Sequence, residues 1–385
     1  MDCDTVDKTD QIDLRQNMRT DAENNMTRLQ ITPLRLNSQQ LSSPRFKNPV
    51  DVVEWFGAVQ AQDYYGAKWS LGQRMGGSSI RTDDVIDKAF AAGKILRTHI
   101  VRPTWHFVTP ADIRWLMRLT APRINAISGH YYRKLGLDEA IFRRSNKAFA
   151  GALRDNNYLT RDTLRKAAER AGIVTEGLRF IHILERAELD EVICSGPRVG
   201  KQFTYALLDE RAPGCKDLTR DEALAELARR YFSSRGPAML QDFVWWSGLT
   251  VADAKAGIEM VKHKLVEELI DGKIYWLSSS TSILKTPALT AHLLPAYDEY
   301  LLAYKDRSAM VDPLDIRKGS RGNPVFSQPI VIGGQVIGSW KRAFKKDTVV
   351  ITLNPSIPLS KSETKAVAQA AERYAEFLGL LLEFS

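Results

Sequence analysis

Two glutamines, Gln60 and Gln62, stand two positions apart at the end of an apolar segment. A glutamine carboxamide offers an acceptor and a donor, so it can fix a water molecule or contact a sugar, but it cannot transfer a proton. In a helix the two side chains would diverge by about 200° because one turn takes 3.6 residues, whereas residues i and i+2 of an extended chain share a face. The pair can therefore act together only if the apolar helix, with core face Val52, Phe56 and Val59, frays or becomes extended here. The alternative is two solvated glutamines at a helix end.

A second cluster runs from Arg97 to Val108 and combines cations, aromatic rings and a histidine. Alternation predicts that Arg102, Thr104 and His106 lie on one side of a strand and the apolar residues on the other. Between positions 94 and 134 the chain carries eight Lys or Arg side chains and one acidic side chain. This density favours a surface that faces phosphates. The alternative is a solvated helix face with an ordinary charge imbalance.

Two adjacent acids, Asp298 and Glu299, lie in the segment LLPAYDEYLLAYKDRS that begins at Leu293. Carboxylates are the usual acid and base of glycosidic hydrolysis, but neighbouring side chains point in different directions in a helix and in a strand. We therefore expect at least one of them to form a structural salt bridge, with Lys305 or Arg307 as its partner.

Composition excludes several classes of protein. The 385 residues are 44% hydrophobic and 26% charged, which indicates a globular protein of about two to four domains. There is no Walker loop, dinucleotide fingerprint, HExxH or GxSxG motif, and the six histidines include no i, i+4 pair, so neither a cofactor nor a metal is expected. Three cysteines without CxxC spacing favour a reducing compartment, by default the cytoplasm. No stretch approaches the ~18 apolar residues of a membrane span.

The charge is unevenly distributed along the chain. Residues 1–28 carry seven acidic and four basic side chains, so the rest of the chain has a net charge of +11, against +8 for the whole. A basic body favours phosphate-rich polymers or an anionic surface as partner. Residues 1–27 hold few apolar side chains and are expected to be a disordered extension.

A weak internal repeat organises the middle of the chain. The segment LTRDTLRKAAERAG, which begins at Leu159, is echoed 59 residues later by LTRDEALAELARRYFSSRG. Each copy opens on a threonine in the position of a helix N-cap, Thr160 or Thr219, and Glu222 makes the second copy the better capping box. After the first copy, an apolar stripe within Phe180–Leu189 predicts a further helix, and KQFTYALLD alternates as a short strand does.

The second copy is followed by the pattern of a winged helix. MLQDFVWWSG and TVADAKAGIEMV predict two short helices separated by a tight turn, with Thr250 as the cap of the second. LVEELIDGKIYWL predicts two strands joined at Asp271-Gly272. The segment from about 28 to 110 fits the same plan, with LNSQQL, VDVVEWFGAVQ and SIRTDDVIDKAFAAGKILRTH as helices and IVRPTWHFVTP as a strand pair.

The C-terminal part has a different character. The range Val325 to Leu353 is rich in Val, Ile, Gly and Phe and contains a Gly333-Gly334 turn, which indicates a small sheet or barrel. An amphipathic helix is predicted from about Lys361 to Gly379.

Together these clusters resemble the AlkZ/YcaQ-like winged-helix DNA glycosylases, a bacterial family that includes self-resistance and crosslink-repair enzymes. The anchors are Gln60-Ala61-Gln62, Arg102-Pro103-Thr104-Trp105-His106 and the LLPAYDEYLLAYKDRS segment, and the resemblance covers nearly all of the chain after residue 28. It implies an α+β fold, mainly α, in which three tandem winged-helix domains and a small C-terminal β-sheet or barrel domain form a C-shape around a basic channel. The expected bounds are 1–27 for the extension, 28–125, 126–215 and 216–285 for the winged helices, and 286–385 for the β domain with its terminal helix.

The resemblance also implies a monofunctional glycosylase that acts as a monomer on duplex DNA containing alkylated purines, without metal or cofactor. The family's catalytic motif carries over to Gln60 and Gln62. Another branch has an aspartate at the second position, which this sequence lacks. A purine alkylated at N7 is cationic and leaves without protonation, so a positioned water suffices, and interstrand crosslinks of this kind are potential substrates too.

The basic and polar side chains of these clusters are the expected contacts to DNA. They are Arg97, Arg102, Thr104, His106, Lys305, Arg307, Arg317, Lys318, Arg321, Lys341 and Arg342. The alternative from another functional class is a transcriptional regulator. Three domains in one chain and no evident dimerisation helix favour a clamp around a single duplex instead.

Overall fold

The computed structural model describes residues 27–77, 82–281, 289–311 and 327–385. They form a mixed α+β structure in which about half of the residues are helical. The expected N-terminal extension, apart from Thr27, lies outside the described residues. Within these ranges no helix is long and apolar enough to cross a membrane.

The segment that carries the two glutamines combines four helices with a three-stranded antiparallel sheet of order β1-β3-β2. Its elements are α1 (Arg28–Ser38), α2 (Pro49–Phe56), β1 (Val59–Gln60), α3 (Tyr64–Gln73), α4 (Asp83–Ala91), β2 (Leu96–His99) and β3 (Trp105–Val108). Helix α1 begins before the predicted helix LNSQQL and ends within it.

Two of the predicted helices in this segment are too long. Helix α2 ends at Phe56, not at Gln60, because Gly57 takes φ +75° and turns the chain into β1. Helix α4 ends at Ala91, and Gly93 at φ +71° turns the chain toward β2. The sequence pattern predicts that the helix continues through the residues that form this strand. In both cases a residue with positive φ, a conformation that glycine adopts without steric cost, ends the helix.

Residues 113–211 form four longer helices, a short one and a second three-stranded antiparallel sheet of order β4-β6-β5. Its elements are α5 (Ile113–Lys134), α6 (Glu139–Leu153), β4 (Leu159–Thr160), α7 (Arg161–Arg170), α8 (Arg179–Leu189), β5 (Ile193–Ser195), β6 (Thr204–Leu207) and α9 (Leu208–Arg211). Thr160 caps α7, since its hydroxyl accepts from the Thr163 N–H. The predicted stripe of α8 is buried; its members are Phe180, Ile183, Leu184, Ala187 and Leu189. Both predictions are confirmed.

Residues 220–278 form three helices and a hairpin, in the order that the sequence predicts. They are α10 (Arg220–Arg235), α11 (Leu240–Ser247), α12 (Val251–Val261), β7 (Leu265–Ile270) and β8 (Lys273–Ser278). Thr219 and Glu222 form the expected capping box, Thr250 caps α12, and Gly248 in the left-handed conformation makes the turn between α11 and α12. The division of the chain into three winged helices stays a prediction.

A curled five-stranded sheet of order β13-β12-β11-β10-β9 and a long helix form the C-terminal part. The elements are β9 (Ala291–Leu293), α13 (Glu299–Leu302), β10 (Pro329–Ile332), β11 (Gln335–Lys345), β12 (Thr348–Pro355), α14 (Lys361–Leu378) and β13 (Leu381–Phe384). The strands β10 and β11 join at Gly333-Gly334, as predicted, and Gly379 ends α14 in the left-handed conformation.

The sheet that carries the glutamines lies between two hydrophobic clusters. On one side Phe107 belongs to the same cluster as Trp340 of β11. On the other side Val108 belongs to the same cluster as Tyr231 of α10 and Trp246 of α11. The position of this sheet therefore depends both on α10–α12 and on the C-terminal sheet.

Two helical glycines carry opposite expectations. A Cβ added at Gly257 of α12 would lie 2.9 Å from the Leu224 carbonyl oxygen on α10, whereas one added at Gly151 of α6 would meet no described atom within 4 Å. Gly257→Ala should lower the free energy of unfolding by about 1–3 kcal/mol through overpacking. Gly151→Ala should raise it by about 0.5–1 kcal/mol through helix propensity. Denaturant unfolding measures both, and shifts of the same sign would contradict the close packing of α10 and α12.

Candidate functional site

Gln60 lies opposite His106 on neighbouring strands. Strand β1 pairs with β3 in the register Gln60↔His106, and the adjacent Ala61 N–H donates to the Trp105 carbonyl at 2.8 Å. Since hydrogen-bonded and non-hydrogen-bonded pairs alternate along an antiparallel ladder, Gln60 and His106 form a non-hydrogen-bonded pair, whose side chains come closest on one face. The Gln60 N–H consequently points away from β3, out of the sheet edge.

A buried carboxylate occupies that edge. The Gln60 N–H donates to Oε1 of Glu299 at 2.9 Å. Oε2 of Glu299 accepts from Nε and Nη2 of Arg235 at 3.0 and 2.8 Å and from the Trp246 indole at 2.9 Å. Both Glu299 and Arg235 are fully buried, so every hydrogen bond of this pair is made without competition from water.

Arg235 binds the same stretch of chain just before Gln60. Its Nη1 donates to the Phe56 carbonyl at 3.0 Å and its Nη2 to the Ala58 carbonyl at 2.9 Å. We call Glu299 and Arg235 the clamp. It holds the end of α2 and the start of β1, and thereby fixes the backbone of the first glutamine.

Asp298, the neighbour of Glu299, forms a second buried ion pair. Its two oxygens accept from Arg74 at 2.8 and 3.0 Å, and it also accepts from the Ser70 hydroxyl at 2.7 Å and the Tyr300 N–H at 2.8 Å. Burial alone would raise the pKa of Asp298, but the guanidinium of Arg74 and these hydrogen bonds hold it below its usual value. Asp298 is thus an ionised structural group.

The expectation of a structural salt bridge is confirmed for both acids, but the expected partners are wrong. Asp298 pairs with Arg74 and Glu299 with Arg235, whereas the backbone N–H of Lys305 donates to Asp242 and Nε of Arg307 donates to the Leu301 carbonyl. Arg74 and Arg235 carry no local signal in the sequence, because they lie 224 and 64 residues from the carboxylates that they bind.

Gln62 meets Gln60 where the chain leaves β1. The Gln62 N–H donates to the side-chain oxygen of Gln60 at 2.7 Å, and the oxygen of Gln62 accepts weakly from the Trp105 N–H at 3.4 Å. Gln60 is 5% exposed, whereas Gln62 is open to solvent. The following residue, Asp63, caps α3 by accepting from the Gly66 N–H. The helix therefore ends before the pair, with Gln60 in a strand and Gln62 in the bend that follows it, while the catalytic role of the pair stays a prediction.

The segment between β2 and β3 is a strained loop, not the strand that alternation predicts. Val101, a β-branched residue, has φ +69°, a conformation that is costly for such a side chain. Its carbonyl oxygen packs closely against Gly248, in the turn between α11 and α12. A Cβ added to that glycine would lie 2.8 Å from the oxygen. Arg102 and Thr104 consequently lie in this loop, and only His106 lies on a strand.

His106 is a neutral imidazole whose tautomer can be assigned. It is fully buried, and its Nδ1 lies 2.9 Å from the Thr104 carbonyl oxygen. Burial, together with the charge of Arg102, holds the pKa of His106 well below its usual value. Because a carbonyl oxygen only accepts, Nδ1 carries the proton and Nε2 is an acceptor.

Arg97 lies inside the protein. It is 8% exposed, its Nε donates to the Ala61 carbonyl at 3.0 Å, and its guanidinium stacks on Trp105 at 4.3 Å and on Phe203 at 4.6 Å. Burial lowers its pKa to about 10. Arg97 therefore supports the residue between the two glutamines and lines a cavity of about 400 Å³ on the opposite face of the sheet, next to Tyr205.

The other predicted DNA contacts are dispersed. Lys305 and Lys341 are exposed, whereas Arg307 and Arg342 are half-buried. Nη2 of Arg342 lies 4.0 Å from the Asp63 carboxylate and so is close to Gln62. Three predicted contacts lie outside the described residues: Arg317, Lys318 and Arg321. Within the described ranges, no three His, Cys, Asp or Glu side chains are grouped as metal ligands.

Comparison with known proteins decides the family. The model of the family described as DNA glycosylase AlkZ-like matches residues 53–377, a range that contains the glutamines, the strained loop and both ion pairs. The chain belongs to the AlkZ-like DNA glycosylases. The protein is therefore a DNA glycosylase, and the alternative of a transcriptional regulator without catalytic activity is rejected.

One solved structure supports the fold of this glycosylase. The Streptomyces sahachiroi DNA glycosylase AlkZ superposes with a TM-score of 0.76 at 23% sequence identity, and the match covers 94% of this chain and 100% of the other. Among curated proteins, none matches the sequence.

The clamp predicts a specific loss of stability. Glu299→Ala should lower the free energy of unfolding by about 3–5 kcal/mol, because Arg235 would stay buried without its counter-charge. Glu383→Ala removes an exposed carboxylate that pairs with Lys345 and should change it by at most about 1 kcal/mol. Denaturant titration of both variants tests this, and equal effects would show that the clamp does not hold the glycosylase together.

Proposed function

We propose that this glycosylase hydrolyses the N-glycosidic bond of cationic N7-alkylated purines in duplex DNA and that Gln60 and Gln62 position the attacking water. The observation that carries the proposal is the hydrogen bond between the two glutamines, beside carboxylates that are already engaged. The Gln62 backbone N–H orients the side-chain oxygen of Gln60, and the clamp fixes the backbone of Gln60. A preorganised carboxamide can direct a water without reorganising during the reaction.

The groups around the glutamines restrict the leaving group. Glycoside hydrolysis passes through an oxocarbenium-like sugar and usually needs an acid that protonates the departing atom. Asp298 and Glu299 are bound in ion pairs, Asp63 caps a helix, and His106 is neutral with its proton donated to a carbonyl. None of these four can supply that proton. A purine that already carries positive charge at N7 needs none, because it becomes neutral as it departs.

The same chemistry extends to crosslinks. An interstrand crosslink through N7 has the same cationic purine as its leaving group, so this glycosylase would unhook it by the same step. The biological roles that follow are repair of alkylated DNA and self-resistance to genotoxins.

The DNA lies in a basic channel formed by three winged helices at 28–125, 126–215 and 216–285 and a β domain at 286–385. Support comes from the recurrence, within each of the first three ranges, of at least three helices and an antiparallel strand pair. The net charge of +8 supports duplex binding. The enzyme works as a monomer in the cytoplasm, without metal or cofactor.

Alanine variants of the glutamines test the catalytic proposal. Gln60→Ala and Gln62→Ala should each lower the single-turnover release of N7-methylguanine by about 10² to 10³, the usual cost of losing one preorganised group. Duplex affinity and unfolding should stay near wild type. Gln335→Ala, an exposed glutamine on β11, is the matched control. If both alanine variants release N7-methylguanine at the wild-type rate, the catalytic proposal is wrong. Release of uracil, a neutral base, by the wild-type enzyme would also contradict it.

Duplex binding should be independent of sequence and steeply dependent on salt. Each phosphate neutralised by Lys or Arg contributes about −0.9 to the slope of log affinity against log salt concentration. Affinities for unrelated duplexes across a salt series measure this slope. A flat response, or a strong preference for one undamaged palindrome, would contradict the channel.

A further inference from the structure

Three polar atoms of the segment 102–106, which ends opposite Gln60, are buried and have no hydrogen-bond partner within the described residues. They are Nη2 of Arg102, Oγ1 of Thr104 and Nε2 of His106. Buried polar atoms are almost always paired, so an unpartnered one requires an explanation. Here three of them come from five consecutive residues at the strained loop, which makes a chance coincidence a poor explanation.

The three atoms are chemically complementary. Nη2 of Arg102 can only donate, and Nε2 of His106 can only accept, because the proton of the imidazole is on Nδ1. The hydroxyl of Thr104 can do both. A water molecule has two donors and two acceptors and needs two to four polar partners in a buried site. One water has the donors and acceptors that the three atoms need, whereas an anion would face the lone pair of His106.

The site lies next to the glutamine pair. His106 faces Gln60 across the non-hydrogen-bonded pair of β1 and β3. Arg102 interacts electrostatically with both members of the clamp, Glu299 and Arg235. His106 and Arg102 are thus on the side of the sheet that carries Gln60, and not on the side of the cavity beside Arg97, and Thr104 lies between them in the chain.

We propose that Arg102, Thr104 and His106 hold the hydrolytic water beside Gln60, with Nε2 of His106 accepting a hydrogen bond from it. This inference rests on the proposed function. The water oxygen forms the bond to C1′ of the sugar, and the C1′–N9 bond breaks. Its electron pair moves into the N7-alkylated purine, which leaves as a neutral base. The protonated hydroxyl that forms on C1′ is strongly acidic and loses its proton to solvent water, so Nε2 of His106 orients the attacking water and stays neutral.

The strained loop has a role in this arrangement. Val101 at φ +69° turns the chain so that Arg102 comes close to His106, which lies on the adjoining strand. Successive tight turns, from Arg102 N–H to the Ile100 carbonyl at 2.7 Å and from Thr104 N–H to the Arg102 carbonyl at 2.6 Å, fix the loop. A regular strand would leave these side chains farther apart, since alternate residues are separated by about 6–7 Å.

Two substitutions of the histidine separate positioning from structure. His106→Asn retains a donor near Nδ1 for the Thr104 carbonyl but has no atom at the position of Nε2. His106→Gln places an amide atom near Nε2. We expect His106→Asn to lower the single-turnover rate of N7-methylguanine release about 10²-fold, the usual cost of losing one preorganised group. His106→Gln should recover at least about tenfold of that loss. Duplex affinity should be unchanged in both.

The chain offers a matched control. His292 on β9 is also fully buried with an unpartnered Nε2, but it belongs to the C-terminal sheet. His292→Asn should cost similar stability and leave release at the wild-type rate. Equal rates for His106→Asn and wild type would overturn the water site, and so would a loss confined to duplex affinity, which would make His106 a DNA contact. A wild-type chain that releases no N7-methylguanine would overturn the proposed function and this inference with it.

Discussion

The clamp between Glu299 and Arg235 is the interaction on which the position of the glutamine pair depends. Removing two charges from water costs several kcal/mol each, and the attraction between them offsets this only when the remaining hydrogen-bonding groups are satisfied. That condition is met, because the pair also binds the Gln60 N–H, two carbonyls of the preceding chain and the Trp246 indole. The backbone groups that the ion pair holds in place are therefore also the groups that satisfy its hydrogen bonds.

The second ion pair extends this arrangement. Asp298 and Glu299 are adjacent, and they bind arginines at the ends of two different helices, Arg74 after α3 and Arg235 at the end of α10. A single dipeptide in the C-terminal part therefore ties together the segments on both sides of β1. Both acids are used in ion pairs and neither can protonate a leaving group, so the structural order and the proposed restriction to a cationic leaving group have the same cause.

The sequence predicts the local elements well and the long-range contacts poorly. Helical periodicity and caps locate α7, α8, α10, α12 and α14, and the Asp271-Gly272 turn locates the hairpin. These features depend on neighbours within one or two turns. The end of α2 at Phe56 depends on a backbone conformation at Gly57 that periodicity does not record.

The partners of the two acids illustrate the same limit within the site. Nearby cations, Lys305 and Arg307, are the natural choice from sequence, but tertiary packing brings Arg74 and Arg235 to the carboxylates instead. The loop around Val101 also follows from its tight packing against Gly248. That the helix must end before Gln60 and Gln62 can act together could be inferred from their spacing, because this needs only the geometry of neighbouring residues.

Strand β1 is an edge strand of only two residues, and the clamp changes what that edge can do. On the side away from β3, the Ala58 carbonyl accepts a hydrogen bond from Arg235 and the Gln60 N–H donates one to Glu299. These are the two groups that an incoming strand would use for its first pair of ladder hydrogen bonds. The guanidinium and the carboxylate thus take the place of a neighbouring strand, so another chain cannot add to the sheet at this edge. The contact that orders the glutamines also protects the molecule from edge-to-edge aggregation.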